Sequence, residues 1–190
     1  MTRGRLTCVA GLAAVLIAVG VGLVETETAG SKDATQQFFE QRLLADKQTS
    51  SQIKQLLQSG GGFVDKAVVF RDITDDDRDD AIVRVHSGGA AGVVAVYVFS
   101  TANKKNGKLR AIFRSQSLMR ASTRVLKGVV SYRTARYDPG DELCCPARLT
   151  QSTLGWDANE RRMRVVDRVT FAPAPEAQAP AAPDAPATTG

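Results

Sequence analysis

Histidine occurs once, at His86, and cysteine three times, at Cys8, Cys144 and Cys145. A lone imidazole is one candidate against the four ligands that a tetrahedral metal centre takes. It also leaves a Ser-His-Asp arrangement no second histidine to choose from. The glycines of "HSGGAAG" follow neither the phosphate-loop nor the dinucleotide pattern and lead into a strand, so they read as a hairpin turn. Asp and Glu are confined to turns, and no pair stands out as the acid and base of a glycosidase. No internal repeat of useful length is present. These absences point to a non-enzymatic protein.

One stretch lacks charge altogether and another lacks acid. Leu6 to Val24, "LTCVAGLAAVLIAVGVGLV", has no charged residue and is about long enough to cross a bilayer as a helix. Arg3 and Arg5 precede it, which puts the N-terminus in the cytoplasm and the rest outside. Glu27 stands where a cleavage site wants a small residue. Retention as a signal anchor is therefore expected over cleavage and secretion, with the membrane as partner through residues 6–24. Acid is missing from Ala81 to Tyr137, where eleven Lys or Arg residues have no Asp or Glu among them. A basic surface can meet nucleic acid, anionic lipid or acidic wall polymers. The external location argues against nucleic acid and leaves an anionic envelope polymer or a protein partner. The rival is that the basic strands lie beside the acidic loops at 72–80 and 138–142, which neutralise them.

Large apolar residues are missing from the C-terminus, "APAPEAQAPAAPDAPATTG", so residues 172–190 are read as a disordered Pro/Ala-rich tail. With residues 1–30 as anchor or signal peptide, the globular domain spans residues 31–171. Within it, Phe39, Leu43, Ile53 and Leu57 recur at helical spacing over 33–59. Ser31 or Asp33 can cap the start, "SGGG" ends the pattern, and a break near Thr49 divides it. Beyond the glycines the pattern turns to strands, at 64–71, 81–87, 93–101, 109–115, 124–137, 148–157 and 163–170. Connectors such as "DDDRDD", "ANKKNG" and "DPGDE" are too short for parallel crossovers. The expected class is α+β: one or two helices packed on an antiparallel meander of about six or seven strands. Trp156 is expected to anchor the hairpin that its strand forms with Met163 and Val165.

Two motifs carry candidate chemistry. "DITDDDRDD" places six aspartates in nine residues, Asp72 to Asp80. Asp72, Thr74, Asp76 and Asp80 fit positions 1, 3, 5 and 9 of a calcium loop, where oxygens gather at alternating positions. The stretch resembles the single loops of FG-GAP and VCBS repeat proteins, and that resemblance implies bound calcium. Thr74 replaces a carboxylate or amide, and Asp75 and Asp77 replace both glycines of the pattern. The competing reading is a solvated β-turn whose aspartates accept hydrogen bonds from the local backbone. In "ELCCPA", Cys144 and Cys145 have only each other outside the membrane. Neighbouring α-carbons lie about 3.8 Å apart, short of the roughly 4.4 Å at which disulfides ordinarily begin. A vicinal disulfide stays open in an oxidising compartment, and the pair is read as a stiff turn, a redox switch or an intermolecular bridge.

Taken in order, "VHSGGAAGVVAVYVF", "LKGVVSYRTARY", "DPGDELCCP" and "TLGWDANERRMRVVDR" resemble small exported actinobacterial proteins, including the LppP/LprE-type cell-envelope lipoproteins. The resemblance covers roughly residues 81–168 and implies an envelope location and an antiparallel β-rich domain, with no activity attached to particular residues. The lipobox of such lipoproteins is missing. The function expected is a non-enzymatic binding or structural domain of the envelope. The alternatives are a calcium-dependent adhesion or recognition module and an envelope hydrolase or redox protein using Cys144 and Cys145.

Overall fold

The computed structural model describes residues 33–102 and 107–173. The run at 6–24 and nearly all of the tail at 172–190 lie outside the described residues. Among the described residues no helix is long and apolar enough to cross a membrane. The class is α+β, with helices α1 (Ala34–Ala45) and α2 (Ser51–Gln58) preceding the strands.

Asp33 starts α1 through a reciprocal cap. Its Oδ1 accepts from the Gln36 amide at 2.8 Å, and Gln36 Oε1 accepts from the Asp33 amide at 3.2 Å, which satisfies two otherwise orphaned donors. The buried Gln36 also donates from Nε2 to the Val64 carbonyl at 2.6 Å, tying the helix to the sheet. The break falls where it is expected: Thr49 lies between the helices, and Ser50 caps α2 by accepting from the Ile53 amide at 3.3 Å.

The strands are β1 (Phe63–Val64), β2 (Val69–Arg71), β3 (Asp80–His86), β4 (Val93–Ser100), β5 (Arg110–Ser115), β6 (Ser122–Leu126), β7 (Val129–Arg136), β8 (Arg148–Asp157) and β9 (Arg162–Phe171). They form two antiparallel sheets instead of one meander. The first runs β1-β3-β4-β5 with β2 also on β3, and the second runs β6-β7-β8-β9. The change of sheet happens after β5. There the amides of Leu118 and Ala121 donate to the carbonyls of Val94 and Val93 at 2.8 and 3.0 Å. The chain thus crosses the end of β4 and begins a new layer.

Two expected strands are each divided. The run 64–71 splits at Asp65, whose carboxylate accepts from the Ala67 amide at 2.9 Å and bends the edge away from β3. The run 124–137 is a hairpin. Lys127 and Gly128 turn it with φ of 50° and 76°, the pair of left-handed residues that a type I′ turn requires.

The first sheet is the middle of three layers. Val83, Val85, Ala95, Tyr97 and Phe99 pack against Phe39, Leu43, Ile53 and Leu57 of the helices. The alternate residues Ile82, Val96, Val98, Ile112 and Phe113 pack against Val130, Tyr132, Leu154 and Met163 of the second sheet. Burial on both faces explains why β4 reads "VVAVYVF", an apolar run with little alternation. Trp156 is partly buried against this second core, opposite Met163 as expected.

Candidate functional site

The acidic loop joins β2 to β3. Asp72 Oδ1 accepts from the amides of Asp75 at 2.8 Å and Asp76 at 3.3 Å, and its Oδ2 accepts from Asp77 at 2.9 Å. Asp80, fully buried, accepts from the amides of Ile73 and Thr74 with Oδ2, both at 2.9 Å. Asp76 is held by Arg78, whose Nε and Nη2 donate to Oδ2 at 3.1 and 2.5 Å. Asp75 and Asp77 both take φ of 60°. The left-handed backbone of the missing glycines is thus kept by residues that tolerate it better than most.

These bonds make the loop a self-solvating turn. The carboxylates of Asp72, Asp76 and Asp80 do not converge. Among the described residues, the one trio of acidic, His or Cys side chains with ligand atoms all within 4.8 Å of one another is Glu142, Cys144 and Cys145. Arg78 covers Asp76, so a calcium ion at this loop would have to displace it. One atom remains unexplained: Thr74 Oγ1 is buried without a hydrogen-bond partner.

Cys144 and Cys145 are joined by a disulfide on an exposed turn between β7 and β8. His86, alone in the sequence, has found a partner. Its Nε2 lies 3.1 Å from Asp65 Oδ2, which also pairs with Arg84 at 2.7 Å, and its ring stacks on Phe63 with centroids 5.1 Å apart. Burial raises the Asp65 pKa, but the Ala67 amide, His86 and Arg84 together hold it below the ordinary value. Among the described residues no hydroxyl or thiol is hydrogen-bonded to His86. The cluster therefore clamps the gap between β1 and β2 and offers no nucleophile. Sequence spacing hides this pair, because it forms across the divided edge strand.

A cleft of about 820 Å³ runs along β5 between the helix connection and the β8–β9 turn. Arg114 there pairs with Asp46 at 2.6 Å and Arg162 with Glu160 at 3.1 Å, while Lys47 and Arg110 also line the cleft and leave it net positive.

The outer face of the second sheet is a further cationic surface. Val130, Tyr132 and Leu154 point into the core, so by alternation Arg124, Ser131, Arg133, Gln151 and Thr153 point outward. Arg133 donates from Nε to Gln151 Oε1 at 2.7 Å, and its guanidinium lies 5.4 Å from the Phe171 ring centroid. Two adjoining depressions of about 230 and 390 Å³ share Arg124, Ser131, Arg133 and Gln151. Among the described residues none of Arg124, Lys127 and Arg133 has an acidic partner within ion-pair distance. The acidic loops touch the second sheet only at its ends, and on this face Asp167 of β9 stands opposite Thr153 by register. Arg148 pairs with Asp138 at 2.6 Å, and the turn at Gly128 comes against the Asp72 carbonyl. The alternation of Arg124 and Arg133 with core residues was the signal in the sequence that could have found this surface. No family model, no curated protein and no solved structure matches the chain.

Proposed function

We propose that the protein is a non-enzymatic binding domain of the cell envelope, held outside the membrane by residues 6–24. Its ligand is an extended anionic polymer lying on the outer face of the second sheet. The observation that carries this reading is the group of unpaired cations on that face, Arg124, Lys127 and Arg133, set among hydroxyl and amide side chains. A guanidinium binds phosphate or carboxylate through a planar fork of donors. Ser131, Thr153 and Gln151 supply hydrogen bonds to a polyol or sugar backbone, and Phe171 gives an apolar ring beneath Arg133. The acidic loop at one end repels an anionic chain and so limits where it can lie.

The chemistry recognised is a repeated anion, borne either by phosphodiesters or by uronic acids. Calorimetric titration with poly(glycerol phosphate), with a polyuronate and with a neutral glucan distinguishes the sources. Binding of at least one polyanion, weakened at least about tenfold in R124A/R133A and lost at high salt, is the expected result. A double variant that binds like the parent, or equal binding of the neutral glucan, refutes the reading. A second reading, a calcium-dependent recognition module, rests on the buried unpartnered Thr74 Oγ1 and requires Arg78 to leave Asp76.

A further inference from the structure

A disulfide between adjacent residues closes almost no loop, so the chain-entropy term by which most disulfides stabilise a fold is nearly absent. The turn that carries Cys144 and Cys145 is also held by bonds that use no sulfur. The Leu143 carbonyl accepts from the Tyr137 hydroxyl at 2.8 Å and from the Arg120 guanidinium. The Cys145 amide donates to the Glu142 carbonyl at 2.9 Å. Asp141 Oδ2 accepts from the amides of Asp138 and Ala147 at 2.7 and 2.9 Å. Structural support is thus a poor account of the pair, and both cysteines and Glu142 are exposed.

The ligand atoms of these three side chains lie within 4.8 Å of one another, with Glu142 Oε2 at 3.4 Å from Cys144 Sγ. A disulfide sulfur carries no proton, so that contact becomes a hydrogen bond only when the pair is a dithiol.

We propose that Cys144, Cys145 and Glu142 form a redox-gated chelating site for a soft divalent cation of the zinc and cadmium class. The site is closed as the disulfide and open as the dithiol. An external dithiol supplies the two electrons. Its two S–H protons end on Cys144 and Cys145 Sγ, the bond between those sulfurs breaks, and its own sulfurs join as a disulfide. The cation then displaces both thiol protons and is held by two thiolates and one Glu142 oxygen, with the fourth position left to water. Three protein ligands and an open fourth suit an exchangeable ion better than a structural one. Thiolates select such ions over calcium and magnesium, so the site is independent of the acidic loop and of the polymer-binding face.

The test uses the full chain carrying C8S, reduced with a phosphine that is then removed without air, and titrated with cadmium. The readout is the ultraviolet charge-transfer band from thiolate to cadmium. The expected result is one cadmium per chain. The band should be absent from the disulfide form and from C145S, and the affinity at least about tenfold weaker in E142Q. No band in the reduced chain, one cadmium per two chains, or binding indifferent to C145S overturns the proposal. An E142Q chain that binds like the parent removes Glu142 from the site. Reduction alone is expected to leave the melting midpoint within a few degrees, and a large fall overturns the premise that the turn stands without its disulfide.

Discussion

Replacing Gln116 with leucine probes the join between the helix layer and the middle sheet. Gln116 Oε1 accepts from the Ser50 amide at 2.7 Å and from the Tyr97 hydroxyl at 3.0 Å, and its Nε2 donates to the Gln48 carbonyl at 3.2 Å. Ser50 caps α2, and Tyr97 is fully buried. Burial pushes the Tyr97 pKa up to about 12, against the smaller opposing effects of Thr49 and Arg114. Thr49 Oγ1 lies near enough to act on the phenol but makes no hydrogen bond of its own. Leucine keeps most of the volume and removes every polar atom, leaving a buried phenol donor and a helix-cap amide without their acceptor. An orphaned buried group costs about 1–3 kcal/mol and a lost exposed bond much less, so Q116L should cost about 3 kcal/mol. For a chain of this size that is roughly 6–12 °C in melting midpoint. Y97F should cost only about 1 kcal/mol. The double variant should fall short of the sum by about 1 kcal/mol, because the phenol is no longer there to be orphaned. Thermal and urea melts of the four chains measure the cycle. A Q116L chain within about 0.5 kcal/mol of the parent, or strict additivity, refutes the reasoning.

Acid should weaken the fold through Asp46 and Asp65. Burial raises the Asp46 pKa, but the Gln48 amide, Arg114 and Lys54 outweigh it and leave it below the ordinary carboxylate value, as for Asp65. A depressed carboxylate contributes stability that is complete above its unfolded pKa, near 3.9 on average, and is lost as pH falls through its folded one. Melts between about pH 6 and pH 2 should therefore show a decline below about pH 4 that is shallower in D46N/D65N. An identical decline in the double variant excludes these two groups as its cause. Because Arg78 covers Asp76, the midpoint should be the same in calcium and in a chelator. A rise of several degrees with calcium would instead support the recognition-module reading.

Much of the secondary structure was legible because helix and strand periods differ. The break near Thr49, the buried stripe from Phe39 to Leu57 and the strand spans of β3, β4 and β8 follow from pattern alone. The division into two sheets was not legible. Alternation shows that Val96 and Tyr97 face opposite ways, but not that each meets a different layer. The Lys127–Gly128 turn was hidden because lysine replaces the usual asparagine or aspartate at a left-handed position. The Asp65 break was hidden because its neighbours Val64, Val68 and Val69 read as one apolar strand. For the candidate sites, sequence located the acidic loop and the cysteine turn. The partners of their atoms, Arg78 for Asp76 and Glu142 for the sulfurs, depend on folded geometry.

Consecutive residues of β4 serve different cores: Tyr97 meets the helices, and Val96 and Val98 meet the second sheet. The peptide bonds between them make this strand a mechanical coupler. Strain applied at the outer sheet has a direct route through it to the two helices. A ligand held at Arg124 and Arg133 would thus load both sheets and the helices together.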